Sequence, residues 1–173
     1  MTSEKIKKEK VEKRTISLLV DNEPGVLSRV AGMFAARGFN IDSLCVAETM
    51  DPKVSRITLV TTCDAYIQEQ INKQLNKLIN VIKVVDFTGT EFVEREMALV
   101  KVKATEEHRA EILRIVDIFR CKVVDVSPRF YTIEVTGSQG KIIALLDLLK
   151  TMGIVEIART GIAAMARSKK GAQ

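Results

Sequence analysis

The hydrophobic and polar positions in the first half of the chain follow two alternating periods. In RTISLLV, residues 14–20, polar and apolar side chains alternate over most of the segment, which is typical of a half-buried strand. Further on, Leu27, Val30 and Phe34 stand at offsets of three and seven, on one face of a helix. The pattern predicts a strand, a helix, two strands, a helix and a strand over residues 14–20, 24–37, 40–48, 54–63, 65–78 and 81–87. The first half is therefore predicted to form one βαββαβ module.

Residues that favour helix ends stand where this pattern needs them. Pro24 suits a first helical turn, because its missing N–H would have no partner there in any case. Asn22 or Glu23 is the expected cap of that helix, and Gly38 suits a left-handed stop. The first helix is therefore expected to begin close to Pro24.

The same order of elements returns in the second half. A strand over residues 96–104 precedes the helical segment TEEHRAEILRIVDIF, the strands KVVDV and RFYTIEV, the helical segment SQGKIIALLDLLKTM and the strand VEIARTGI. Thr105 and Ser138 are the predicted helix caps. Two acids, Glu106 and Glu107, stand in the first predicted turn of the third helix, where they suit the positive end of its dipole. The fold class that follows is α+β, with two ferredoxin-like βαββαβ modules in tandem.

The chain is predicted to divide into two domains between two basic ends. The division falls near TGTEFVE and gives a basic N-terminal extension, a first domain, a second domain and a basic tail over residues 1–13, 14–90, 91–166 and 167–173. The first fourteen residues and the last seven each carry a net charge of +3. Since the whole chain has a formal net charge of +5, the 152 residues between them carry −1. The folded body therefore has no electrostatic case for binding a nucleic-acid backbone.

The split βαβ plan is also that of a common RNA-binding module, which stacks bases on aromatic side chains of its central strands. The strand SRITLVTTC has no aromatic residue. Phe130 and Tyr131 are adjacent, so they point to opposite faces of a strand and cannot form one platform. An RNA-binding function is disfavoured.

Catalytic and metal chemistry finds little support. The single histidine, His108, has no serine or cysteine nucleophile placed with it and is expected to be an exposed residue at a helix start. The three cysteines, Cys45, Cys63 and Cys121, are widely spaced in apolar surroundings, which favours packing over a disulfide framework or a zinc site. GSQGKI lacks the spacing and the hydroxyl of a phosphate loop, and DNEPGVL does not match a dinucleotide fingerprint. With no apolar run that could span a bilayer and no signal peptide, the chain is expected to be cytoplasmic.

One turn remains as a candidate site, in LLVDNEPGVLSRVAGMFAARGFNI. The first strand-to-helix turn of such a module leaves backbone N–H groups unpaired at the positive end of a helix dipole, which suits a small carboxylate. A glycine lets the backbone approach a ligand, and asparagine amides can donate to a carboxylate or accept from an ammonium group. The candidate residues are Asn22, Gly25, Val26, Leu27, Asn40 and Ile41. Helix caps and plain turns use the same residue types, so that interpretation stays open.

The same stretch carries a family resemblance. VDNEPGVLSRVAGMFAARGFNIDSLCVAET with DPKVSRITLV resembles the ACT domain of the regulatory (small) subunit of acetohydroxyacid synthase, also called acetolactate synthase. VEREMALVKV, RIVDIFRCKVVDVSPRFYTIEVTG and VEIARTGIAAMAR resemble its C-terminal half. NEPGVL with RV marks ACT domains in general, whereas RGFNIDSL, DPKVSR and ARTGI are specific to this subunit.

The resemblance implies a regulatory role without catalytic activity, in branched-chain amino acid biosynthesis. Such subunits bind and activate a thiamine-diphosphate-dependent catalytic subunit and confer feedback inhibition, usually by valine. ACT domains pair side by side as homodimers and bind the effector at the pair interface. On this chain the implied contacts are Asn22, Gly25, Val26 and Leu27, with Asn40 and Ile41 supplied by the partner module. No cofactor is expected on this chain, whereas thiamine diphosphate, Mg²⁺ and FAD are expected on the catalytic partner.

An alternative function is a free-standing ACT-type amino-acid-binding regulator, for example of transcription. It would need a helix-turn-helix or a basic face, and the sequence has neither pattern. The choice among valine, leucine and isoleucine as effector, and the surface that docks the catalytic subunit, are left open.

Overall fold

The structure is a computed structural model that describes residues 10–168. Most of the predicted basic extension, and residues 169–173 of the predicted basic tail, lie outside the described residues. The described chain divides into two compact units, residues 10–92 with 166–168 and residues 93–165, which we call the first and second unit. Their elements follow each other as two successive βαββαβ series, which confirms the predicted fold class.

Four strands and two helices form the first unit. Its elements in chain order are β1 (Glu12–Asp21), α1 (Val26–Ala36), β2 (Ser43–Glu48), β3 (Val54–Cys63), α2 (Ala65–Leu75) and β4 (Val81–Asp86). The strands pair antiparallel in the order β2-β3-β1-β4, so that β2 and β4 are the edges. Alternate residues of β1 and β3 face the two helices and form a core of Ile16, Leu18, Val20, Ile57 and Leu59 with Val30, Phe34, Ile71 and Leu75.

The second unit repeats this arrangement and adds a short strand. Its elements are β5 (Phe92–Lys103), α3 (Arg109–Ile118), β6 (Lys122–Val126), β7 (Phe130–Gly137), α4 (Gln139–Lys150), β8 (Ile154–Arg159) and β9 (Ala163–Ala166). The sheet order is β6-β7-β5-β8, with β9 also paired to β5. Strand β9 was not predicted. The core joins Ala98, Val100, Val102, Ile133 and Val135 to Ile112, Ile115, Ile142, Leu145 and Leu149.

The predicted helix caps are right in one case and wrong in two. Ser138 caps α4, because its Oγ accepts a hydrogen bond from the N–H of Lys141 at 3.4 Å. Thr105 does not cap α3, whose N-cap is His108 and whose first turn contains Glu111 in place of the two expected acids. The backbone carbonyl of Thr105 instead accepts from the N–H of His108 at 3.0 Å, so a separate turn precedes the helix.

Helix α1 also begins later than predicted, at Val26 instead of Pro24, and its N-cap is Gly25 without a side-chain cap. The predicted cap at Asn22 or Glu23 is therefore wrong. Among residues 10–168, no helix has both the length and the apolar character required to cross a membrane.

Candidate functional site

Asn22, in the turn after β1, forms two hydrogen bonds to the β2–β3 turn. The backbone N–H of Asn22 donates to the carbonyl of Lys53 at 2.8 Å, and its side-chain Nδ2 donates to the carbonyl of Pro52 at 2.9 Å. Asn22 lies three residues before the N-cap Gly25, and its side chain is held by a loop thirty residues away in sequence. The side chain is nevertheless exposed, so its remaining hydrogen-bonding capacity faces solvent.

Gly25 opens the helix in the left-handed conformation, with φ +85°. A residue with a Cβ is strained at this φ, so the sequence needs glycine here for the backbone itself. Among the described residues, the N–H groups of Gly25, Leu27 and Ser28 have no hydrogen-bond acceptor. Three donors at the positive end of the α1 dipole are therefore unpaired among the described residues, which is an arrangement that suits a carboxylate.

Asn80, in the loop before β4, holds the other side of this turn. Its backbone carbonyl accepts from the N–H of Asp21 at 3.0 Å, and its Nδ2 donates to Asp21 Oδ2 at 3.1 Å. Its Oδ1 accepts from the guanidinium of Arg29, in the first turn of α1. The turn is thus clamped between the β2–β3 turn and the α2–β4 loop. Sequence reasoning missed Asn80, because nothing local marks an amide that acts on a strand so distant in the chain.

The second group of candidate residues precedes β2. The backbone carbonyl of Asn40 accepts from Thr61 Oγ1 at 2.6 Å, and its Nδ2 donates to Asp42 Oδ1 at 2.7 Å. Ile41 is half-buried and packs against the core of the first unit. The exposed carboxylate of Asp42 also accepts from Thr62 and lies beside the Asn40 amide. Asp42 was not among the predicted site residues, although it stands two positions after Asn40.

Within one chain the two groups lie at opposite ends of the sheet. Asn22 bonds to Lys53, immediately before β3, whereas Asn40 bonds to Thr61 near its end. The intervening eight residues of extended chain span about 26 Å. A single chain therefore does not bring the two asparagines together.

The apolar candidate residues differ in whether their side chains are exposed and can contact a ligand. The side chain of Val26 is buried in the core, so only its backbone can contribute to a surface site. Leu27 is exposed beside the unpaired N–H groups. A cavity of about 220 Å³ lies on the α2 side of α1, lined by Val26, Arg29, Val30 and residues 77–81.

The groups set aside as unreactive have ordinary structural surroundings. Burial raises the pKa of the Cys63 and Cys121 thiols, which keeps them protonated and poor nucleophiles. The His108 ring is 3.0 Å from Thr105 Oγ1, within the turn that precedes α3. Within the described part of the chain, no group of three or more histidine, cysteine, aspartate or glutamate side chains is placed to hold a metal ion.

Comparison with known proteins places both units in one family. The family model described as "AHAS small subunit-like ACT domain" matches residues 16–83, and that described as "Small subunit of acetolactate synthase" matches residues 95–168. The chain is 51% identical over 158 residues to the probable acetolactate synthase small subunit of Archaeoglobus fulgidus, which covers 91% of this chain and 99% of that protein. It is 48% identical over 157 residues to the acetolactate synthase small subunit of Mycobacterium bovis, with 91% and 94% covered.

A solved structure agrees with these sequence relatives. The crystal structure of the acetolactate synthase small subunit from Thermotoga maritima matches with a TM-score of 0.83 and 44% identity, over 91% of this chain and 99% of that chain. Its fold, the two matched family models and the identities near 50% all indicate the same family. The chain belongs to the acetolactate synthase small-subunit family.

Proposed function

We propose that this chain is the regulatory subunit that activates the acetolactate synthase catalytic subunit and makes it sensitive to valine. The chemistry of the reaction belongs to the catalytic partner, together with thiamine diphosphate, Mg²⁺ and FAD. The observation that supports the proposal is the separation of the two candidate groups by about 26 Å along β3, because two chains would be needed to bring them into one site.

The free edge at β2 offers a route by which two chains form that site. Its six residues pair with β3 on one side and with no strand on the other, among residues 10–168. Ser43 lies at the Asn40 end of the sheet and Glu48 at the Asn22 end. Antiparallel pairing of β2 with its copy would place the start of one β2 beside the end of the other. The Asn40 of each chain would then face the turn that carries Asn22 of its partner.

The chemistry of this shared site suits an amino acid. Its carboxylate would bind the unpaired N–H groups of Gly25, Leu27 and Ser28 at the start of α1. Its ammonium group would bind the Oδ1 of Asn40 and the neighbouring Asp42 carboxylate of the other chain. Leu27 and Ile41 would contact a small aliphatic side chain, which favours a branched-chain amino acid.

A ligand that bridges two chains acts on the geometry of the pair. Valine held between them favours whichever pair geometry it binds more tightly, and the catalytic partner responds to that geometry. The coupling is limited to the difference in affinity between the two states, about 1–3 kcal/mol for typical allosteric proteins. The expected dissociation constant for so small a ligand is on the order of micromolar to tenths of millimolar.

The first experiment is calorimetric titration of the chain with valine, with leucine and isoleucine as comparisons. Saturable binding of valine is expected, with each pair of chains providing two equivalent sites. Asn40→Ala should lower valine affinity and leave activation of the catalytic subunit intact. Absence of heat with all three amino acids at two temperatures would contradict the proposed sensor, and parallel loss of activation in Asn40→Ala would show that sensing and docking are not separable.

Mixing two variants tests whether the site is shared. Asn22→Ala and Asn40→Ala chains should each bind valine weakly as separate homodimers. After denaturation and refolding together, half of the dimers should be mixed, and each mixed dimer should regain one intact site. A site formed within one chain would show no recovery, because every chain in the mixture carries a substitution.

A further inference from the structure

One cavity of the first unit lies outside the candidate effector site. It has a volume of about 220 Å³ and lies between α1 and the loop before β4, and we call it the α1–β4 cavity. Its lining is mostly aliphatic, with Arg29, Lys77 and Asn80 as the polar residues. Ligand pockets typically combine an apolar wall with a few polar groups in this way. Pockets for drug-sized molecules have roughly 300–1,000 Å³, so this cavity suits a smaller molecule.

The inner wall of the α1–β4 cavity is fixed by the core of the first unit. Val26 and Val30 are buried members of that core, and Leu78 and Val81 pack against it. A ligand therefore does not have to order these side chains, which removes one of the usual costs of binding. An aliphatic group that enters the cavity leaves water for contact with this apolar wall, which favours binding.

The charge of the cavity favours an anion. Arg29 and Lys77 are its charged lining residues, and among the residues that the structure describes no carboxylate lines it. The Asp21 carboxylate accepts from Asn80 Nδ2 but does not belong to the lining. No ion pair within residues 10–168 includes Arg29 or Lys77. Two positive charges thus stand beside an apolar wall without a direct counter-charge in the described chain.

Asn80 holds the guanidinium of Arg29 in place at this cavity. Its Oδ1 accepts from Arg29 Nη1, while its Nδ2 and backbone carbonyl bind Asp21. The Nε and Nη2 of Arg29 have no hydrogen-bond acceptor in the described part of the chain. A guanidinium that is held at one nitrogen presents the others in a fixed plane, and this fork matches the two oxygens of a carboxylate.

We propose that the α1–β4 cavity binds a small aliphatic monocarboxylate, with its carboxylate on Arg29 and Lys77 and its chain against the aliphatic wall. A free amino acid suits the cavity poorly, because its ammonium group would lie beside two positive charges. The ligand class therefore differs from that of the proposed effector site, where Asp42 supplies a negative charge. The inference goes beyond the proposed function and does not depend on it.

The cavity also lies on the far side of the sheet from the proposed pairing edge. The strand order β2-β3-β1-β4 places β4 at the edge opposite β2. Pairing through β2 therefore sets no strand of a second copy beside the loop that precedes β4. The cavity and the site shared by two chains are thus separate predictions that one experiment can distinguish.

NMR titration of the isotopically labelled chain with isovalerate, a branched aliphatic carboxylate, tests the proposal residue by residue. The backbone amide signals of Arg29 and of residues 77–81 should shift saturably, without valine and again with saturating valine. Acetate lacks the aliphatic chain, and isobutylamine carries an ammonium group in place of the carboxylate, so each should bind at least tenfold more weakly. Equal binding of isobutylamine would overturn the inference, as would shifts confined to residues 25–28 that valine abolishes.

Charge reversal at one lysine tests the role of the cavity itself. Lys77→Glu should weaken isovalerate binding at least tenfold, because it places a carboxylate in the lining. Lys73→Glu is the matched control, since Lys73 is an exposed lysine in the last turn of α2 that does not line the cavity. Its isovalerate affinity should stay within twofold of the unmodified chain.

The amide spectra of both variants report whether the fold is intact. Signals outside residues 69–81 should match those of the unmodified chain in each variant. Unchanged isovalerate binding by Lys77→Glu, or an equal loss in Lys73→Glu, would overturn the proposed site. Absence of valine binding by the unmodified chain would contradict the sensor function alone, because the first isovalerate titration contains no valine.

Discussion

The two units share a topology but differ at the turn after their first strand. Val20 pairs with Val81 after a β-bulge in the first unit, and Val102 pairs with Ile154 after the matching bulge in the second. Counting from these pairs, Ala104 occupies the position of Asn22, and both donate a backbone N–H to the loop between the second and third strands of their unit. The backbone of the turn begins in the same way in both units.

The side chains then make the two turns chemically different. Where the first unit has an exposed amide at Asn22, the second has the buried methyl group of Ala104. The guanidinium of Arg109 folds back over the second turn, where its Nε donates to the Ala104 carbonyl at 3.1 Å and its Nη2 to that of Pro128. One fold thus presents open donors in the first unit and a turn covered by its own arginine in the second. The two units therefore share one module but differ in the chemistry of this turn, and the proposed effector site belongs to the turn of the first unit.

A second pair of equivalent positions carries reversed charges. Counting two residues before Ile16 and Ala98 gives Arg14 and Glu96. On the neighbouring strand, Asp86 pairs with Ile16 and Arg159 pairs with Ala98. In the second unit Arg159 makes two bonds of 2.7 Å to the buried Glu96 carboxylate. In the first unit Asp86 instead accepts from Gln68, Asn72 and the N–H of Thr88. The same position is thus stabilised by an ion pair in one unit and by amide donors in the other.

The largest expected effect comes from removal of the ion pair in the second unit. Arg159→Ala leaves the buried Glu96 carboxylate without its counter-charge and should lower the free energy of unfolding by about 2–3 kcal/mol. This is less than the roughly 3–5 kcal/mol usual for a buried pair, because Arg159 is partly exposed. The matched control, Lys101→Ala, removes an exposed pair with Glu156 on the same two strands and should change it by less than about 0.5 kcal/mol. Urea unfolding followed by circular dichroism measures both. Valine affinity should be unchanged, and a large decrease would show that the second unit takes part in sensing.

The next effect separates backbone strain from ligand binding in the first unit. Gly25→Ala and Gly38→Ala both place a Cβ on a left-handed residue, at φ +85° and +68°, with no atom within 4 Å of the new carbon. Each should destabilise by about 1–2 kcal/mol. Only Gly25→Ala should also weaken valine binding, by at least tenfold, since Gly25 belongs to the donor turn. Equal valine affinity in the two variants would remove the turn from the site.

Asp86 gives a smaller effect with a defined pH dependence. Burial alone would raise the pKa of Asp86, but hydrogen bonds from Thr88, Gln68 and Asn72 lower it below the ordinary value. A carboxyl with a lowered folded pKa stabilises the protein above its unfolded pKa of about 3.9, and this contribution disappears as the pH falls through the folded value. Asp86→Asn should therefore lower stability by about 1 kcal/mol at pH 7 and by less at pH 3. A loss that is equal at both pH values would contradict this assignment.

The smallest expected effect concerns the covered turn of the second unit. Arg109→Ala removes two bonds to backbone carbonyls on a partly exposed side chain and should destabilise by about 0.5–1 kcal/mol. It uncovers the turn without supplying an asparagine, so the number of valine molecules bound per chain should not rise. Calorimetric stoichiometry before and after the substitution checks this, and one additional site would show that Arg109 alone distinguishes the two turns.

The sequence predicted the order of elements because that order depends on local periodicity. The alternation in residues 54–63 and the caps and stops around the helices are contained in short stretches, and β3 was found with its observed bounds. The cap at Ser138 is correct for the same reason, since its acceptor and donor lie three residues apart. The resemblance to the small-subunit family, carried by motifs such as RGFNIDSL, is confirmed by the matched family models.

The details of the site depend on contacts that no local pattern records. Asn22 is a good cap by composition, yet α1 begins after Gly25 and the Asn22 Nδ2 donates to the Pro52 carbonyl. Asn80 donates a hydrogen bond to Asp21, which lies fifty-nine positions earlier in the sequence. Asp42 becomes a candidate residue only because the Asn40 side chain donates to its carboxylate. The sequence therefore supplied candidate residues that stay a prediction, and the contacts that hold them in place could not be predicted from it.

Among residues 10–168, the outer side of β2 pairs with no strand, and this has a consequence for how the proposed sensor would operate at different abundances. A site completed only across that edge exists in proportion to the fraction of chains that are paired, and pairing follows mass action. On dilution, the chains would lose their response to the effector before they lose their fold. Regulatory strength would then depend on how much of this protein is made as well as on how much amino acid is present. For the proposed sensor, the ratio in which the two subunits are produced would then contribute to the feedback response.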